Sequence, residues 1–202
     1  MTSRIFALTA TLVLLTIPAC VARLPGTALG IAALEGDVAA IDRLIGAGAN
    51  VNEPSYLHDW PPVIHAIHKG QLQAVVLLLE RGASLDGAIG EKALLMASSS
   101  GDADILGVLL ARGVPLPKDG PKAASLVAAA VGGSWDYDST WSGCERHTAV
   151  ARMLVARDPD LRTVGSPWPA SVARAKSTLE YRVARLYARL KDCDELLRVV
   201  SR

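Results

Sequence analysis

Apolar and polar positions recur in a fixed order through the middle of the chain. The segments ALEGDVAAIDRLIGAGANVN (33–52), IHKGQLQAVVLLLERGASLD (67–86) and SSSGDADILGVLLARGVPL (98–116) each carry a glycine, an apolar stretch and a second glycine followed by a small residue. The first glycines are Gly36, Gly70 and Gly101, and the second are Gly48, Gly82 and Gly113, so both series step by 34 and then 31 residues. A further short apolar run precedes each first glycine. The pattern predicts pairs of short helices repeated about every 33 residues. Ala32, Ala66 and Ala97 recur where a first helix must approach its neighbour closely, and Leu44, Leu78 and Leu109 recur on the inward side of the second. Gly48, Gly82 and Gly113 stand where the second helix ends, a place that suits a residue with no Cβ.

Two more units follow. Ser125–Gly133 (SLVAAAVGG) reads as a fourth first helix and Ala149–Asp158 (AVARMLVARD) as its second. The interval from Gly133 to Asp158 is 25 residues, whereas Gly36 to Gly48 is 12, so 13 residues are inserted between these helices. From Leu179 through Val183, Leu186, Leu190, Cys193, Leu197 and Val200, apolar residues fall at spacings of four and three, which predicts a long terminal helix.

Thr27-Ala28-Leu29-Gly30-Ile31-Ala32-Ala33-Leu34-Glu35-Gly36 and Gly48-Ala49-Asn50-Val51-Asn52 together resemble the ankyrin repeat. Pro61–Ile67 and Lys92–Ser98 are looser copies that lack its usual threonine and histidine. The resemblance implies an all-α solenoid of about five helix-turn-helix repeats, in which stacking builds the core because one repeat cannot bury its own apolar face. Its units are expected at residues 26–58, 59–89, 90–121 and 122–165, the last with an insert over 134–146, and a degenerate cap over 166–202.

In ankyrin proteins, partners dock on the loop tips between repeats and on the exposed face of the first helices. By that resemblance Tyr56, Leu57, His58 and Trp60 form the first tip, and Glu35, His68, Lys69 and Ser99 line the concave face. The insert adds Trp135, Tyr137 and Trp141 on the side away from the tips. Aromatic residues concentrate in these expected loops while the repeat core is aliphatic, and large aromatics dominate binding hot spots.

The N-terminus carries a different signal. Arg4 precedes an apolar run, Ile5–Ile17, followed by Pro18 and small residues, as in an export signal. Two processing patterns are open. Ile17-Pro18-Ala19-Cys20 resembles a bacterial lipobox, which would leave the chain lipidated at Cys20 after a signal of 1–19; Cys20-Val21-Ala22 would instead release a soluble form, 23–202, after a signal of 1–22. Both place the chain in the periplasm or on a membrane facing it. There Cys144 and Cys193 form an even pair, and a disulfide between them would clasp the insert to the cap.

Charge narrows the partner class. Residues 23–145 hold 8 basic and 14 acidic residues, net −6, and residues 146–202 hold 12 and 6, net +6. This balance gives no general attraction to nucleic acid. No nucleophile elbow, phosphate loop or paired-cysteine motif is present, and His65 and His68 have no third metal ligand nearby in sequence. Asp136, Asp138 and Glu145 lack the glycine of a calcium loop. The expectation is a non-enzymatic, cofactor-free module that binds a protein in the bacterial envelope. An immunity protein against an envelope-targeting toxin and a scaffold or protector of a periplasmic enzyme are the narrower alternatives; an enzyme with its site at residues 134–147 is the remote one.

Overall fold

The computed structural model describes residues 27–56, 58–118, 126, 129–130, 144–161, 195 and 198–199. Cys20, Leu57, Trp135, Tyr137, Trp141 and Cys193 therefore lie outside the described residues, as do the export signal, nearly all of the insert and most of the cap.

Three repeats are formed by six helices: α1 (Ala28–Glu35) with α2 (Val38–Gly46), α3 (Pro62–His68) with α4 (Leu72–Glu80), and α5 (Ala88–Ser99) with α6 (Ala103–Ala111). Helix α7 (Cys144–Arg157) follows, then a 3₁₀ turn at Pro159–Leu161. No strand occurs among the described residues. The first helices α1, α3 and α5 pack in one row; α2, α4, α6 and α7 pack in a second. That row identifies α7 as a second helix, the partner that the repeat pattern assigns to the fourth unit.

Local chemistry starts these helices. The Thr27 hydroxyl accepts from the Gly30 amide at 2.9 Å, Asp37 accepts from Ala40 at 2.9 Å and Asp102 from Ile105 at 3.0 Å. Each such cap satisfies an amide that the helix cannot, and is worth about 1 kcal/mol. Helix α3 has no side-chain cap; Pro61-Pro62 starts it, since a proline at the first position sacrifices no helical hydrogen bond.

The same hydrogen bonds then join first helix to second in each repeat: Asp37, Gln71 and Asp102 donate their amides to the carbonyls of Ala32, Ala66 and Ala97, all at 2.9 Å. Gly36 (φ +75) makes that turn in the first repeat, and Gly70 and Gly101 make it in the others. The left-handed backbone explains why glycine recurs there as well as at the end of the second helix.

The alanines do what their spacing implies: Ala32 is 5 % exposed and Ala66 and Ala97 are fully buried. Leu78 and Leu109 fill the core with Ile41, Ile64, Ile67, Leu94, Ile105, Leu106 and Leu154. Leu44 is only partly buried, because among the described residues α2 is flanked in its row by α4 on one side alone.

Helix α7 begins five residues ahead of the expected Ala149. His147 and Thr148 are both buried, and His147, Ala151 and Leu154 recur at spacings of four and three, so the inward stripe extends toward the N-terminus. Cys144–Arg146, expected to close the insert, are helical instead.

Candidate functional site

The loop between the first and second repeats is folded back on itself. Ser55 donates its amide to the Trp60 carbonyl and Asp59 donates to the Ser55 carbonyl, both at 2.9 Å. Asp59 closes this turn with φ +53, a left-handed backbone that aspartate tolerates better than most residues. The loop thereby lays the Trp60 indole against the hydrophobic core.

Trp60 is the hub of an aromatic cluster. The His58 imidazole lies 5.1 Å from it centroid to centroid, His68 lies 5.4 Å away edge-on, and His65 lies 5.5 Å away. Lys92, at the start of the next first helix, places its ammonium 5.7 Å from the indole centroid, within range of a cation–π attraction. The second and third repeats and the loop that precedes the second therefore converge on one side chain.

His65 is the buried member. Its Nε2 stands 2.9 Å from the buried Ser55 hydroxyl, and its ring also lies alongside Gly30 of α1, where a Cβ would come within 3.5 Å of it. Burial lowers its pKa below the ordinary 6.5, and the neighbouring His58 and His68 imidazoles lower it further.

Tyr56 projects from this base. It is 94 % exposed, far beyond the other large exposed apolar side chains, Leu95 at 42 % and Val38 at 40 %. Lys92, Leu95 and Ser99 follow each other at spacings of three and four on α5, so they share one face of that helix. Trp60, His68 and Lys92 thus form one cluster, with Leu95 on the Lys92 face of α5 and Tyr56 four residues before Trp60 in the loop.

Of the expected site residues, Tyr56, His58, Trp60 and His68 are brought together, and Leu57 lies outside the described residues. Glu35 and Lys69 are exposed at the ends of α1 and α3. Ser99 is engaged internally: its hydroxyl donates to the Met96 carbonyl at 3.0 Å, and its own carbonyl lies 3.2 Å from Nε2 of His147. His147 is thus placed as a packing residue against the end of α5 and not in an accessible insert. Cys144 opens α7, while its expected partner Cys193 lies outside the described residues.

Ser55, His65, Lys92 and Leu95 were not foreseen as parts of this surface. Lys92 and Leu95 could have been found by laying a helical projection on the third repeat. The bond from Ser55 to His65 carries no sequence signal, because it depends on how the loop folds.

Comparison with known proteins agrees with this architecture. Residues 29–118 match the family model for ankyrin repeats in three copies. The chain is similar in structure to the human ASB11 ankyrin repeat domain, with a TM-score of 0.59 and 22 % identity over 87 % of this chain and 70 % of that one. No curated protein matches it. Three repeats in register, the paired rows of helices and the family match together identify residues 29–118 as ankyrin repeats.

Proposed function

We propose that this chain captures a protein partner in the cell envelope through the tip of its first repeat, with Tyr56 as the central anchor. Ankyrin repeats serve as protein–protein interaction modules, and the observation that carries this assignment is Tyr56 itself: an almost fully exposed aromatic on a loop fixed by its own hydrogen bonds. The loop backbone is ordered before binding and a tyrosine side chain has only two rotatable bonds, so little conformational freedom is lost and more of the contact energy appears as affinity. The envelope location rests on the Arg4–Ala22 segment, and recovery of the chain only with cytoplasmic proteins would contradict it.

The test is a comparison of captured partner by the wild-type chain and by Tyr56→Ala. Tyr56 has almost no packing role to lose, so the variant should keep its helical circular dichroism and melting temperature. Its affinity should fall by about tenfold or more, the loss typical of a hot-spot aromatic. Unchanged affinity would move the contact away from the first tip.

A further inference from the structure

We propose that the first-repeat tip is an acid-opened latch, held shut near neutral pH by the contact between His65 and Ser55 and released as His65 takes up a proton. This deepens the preceding reading by assigning regulation to the same surface, but the latch itself needs no partner to operate.

The groups that meet at the latch leave a positive charge on His65 without compensation. From the loop come the Ser55 hydroxyl, 2.9 Å from Nε2, and the His58 imidazole, 5.1 Å from the Trp60 ring. From its own helix, α3, comes His68. Lys92 of α5 adds an ammonium 5.7 Å from the centroid of the same indole. From α1 the approach is made by Gly30 and the Thr27 hydroxyl that caps it, and neither carries charge. The nearest carboxylates in sequence, Glu53 and Asp59 in the loop, Glu91 beside Lys92 and Glu35 at the end of α1, are all exposed to solvent. Among the described residues, the side chains whose charge presses on His65 are the His58 and His68 imidazoles, and both oppose its protonation.

A neutral imidazole suits the site in either tautomer, since the Ser55 hydroxyl can donate to Nε2 or accept from it. A charged imidazole must lose much of its hydration and face other cations. The closed tip holds the His65 pKa below 6.5 by burial and by those neighbours, so an open tip binds the proton more readily. The closed state accordingly keeps its stability above pH 6.5 and loses it as pH falls through the interval down to the closed-state pKa. Opening would release the turn closed by Asp59 in its left-handed conformation and withdraw the fixed base beneath Tyr56.

Amide hydrogen exchange reads this directly on the full chain. The Asp59 amide, bonded to the Ser55 carbonyl, and the Ser55 amide, bonded to the Trp60 carbonyl, report the loop; the Gln71 amide, bonded to the Ala66 carbonyl, reports the repeat scaffold. Between pH 7.5 and 5.5, after correction for intrinsic exchange, protection at Asp59 and Ser55 should fall by up to about tenfold per pH unit below 6.5, the limit for one linked proton. Protection at Gln71 should hold. His65→Gln, which cannot charge, should flatten the response at the loop. The double variant His58→Gln/His68→Gln leaves His65 and Ser55 intact and should weaken the response by removing the like charges.

Loop protection that is independent of pH in the wild type, or a response that survives unchanged in His65→Gln, would overturn the latch. So would equal loss at Gln71, which would mean global acid unfolding. A latch that opens as described in a chain whose partner affinity ignores Tyr56→Ala would overturn the docking assignment alone.

Discussion

Gly101 and Gly48 have the same left-handed backbone, at φ +67 and +94, but different surroundings. A Cβ on Gly101 would stand 2.9 Å from Cε1 of His147 and 3.2 Å from Cβ of Arg146, whereas nothing lies within 4 Å of one on Gly48. Gly48→Ala should therefore cost about 1 kcal/mol, the conformational strain alone. Gly101→Ala should cost roughly 2–3 kcal/mol, because a buried ring must also move. Urea denaturation of the two variants measures the difference, and equal losses would show that His147 yields without cost. At this scale the sequence was partly legible. The glycine spacings revealed both turns because glycine is what those backbones require, but nothing marked His147 as the residue that seats on Gly101. Its buried contact with the Ser99 carbonyl spans 48 residues and arises only when the helices stack.

The elements are joined by a device that varies in chemistry from repeat to repeat. At the junction between helices, Gln71 reaches back to the Leu34 carbonyl at 3.4 Å beside Gly36, Asp102 sits against Gly70, and His147 seats on the Ser99 carbonyl beside Gly101. Each residue stands at or near the start of a second helix and rests on the preceding repeat, so it fixes the relative placement of two units. Asp102 also starts its helix, since it caps α6 through Ile105. Asp102→Ala should destabilise the chain by about 1 kcal/mol, while Asp102→Asn, which keeps a capping oxygen, should lie within roughly 0.5 kcal/mol of the wild type. Equal melting temperatures for the two variants would contradict a capping role. The helix pairs were legible because each copy repeats the same apolar spacing. The earlier start of α7 was not, since the polar residues His147 and Thr148 hid the buried stripe that they extend.

Across the whole molecule, stacking determines which residues remain available. Helices α3 and α4 lie between neighbours and bury most of their side chains, so Ile64 is fully covered, while Leu95 at the same place in the third repeat is 42 % exposed. That difference cannot be read from the repeat pattern, which assigns both residues one role. The loop aromatics were legible as a departure from an aliphatic core, and Tyr56 fulfils the expectation of exposure. Trp60 does not stand free in the same way: it is partly buried, packed on the core and ringed by three histidines and Lys92. One aromatic of the tip is thus the support, and the other is the proposed contact.

The central claim, that the tip of the first repeat meets the partner, is tested most directly by site-specific photo-cross-linking in the cells that make this chain. A benzophenone-bearing amino acid at position 56 samples the tip; the same group at position 73, where Gln73 is exposed on α4, samples the second-helix row. The account predicts a discrete cross-linked adduct from position 56, recovered with the envelope, and none from position 73. An adduct from position 73 with none from position 56 would contradict it.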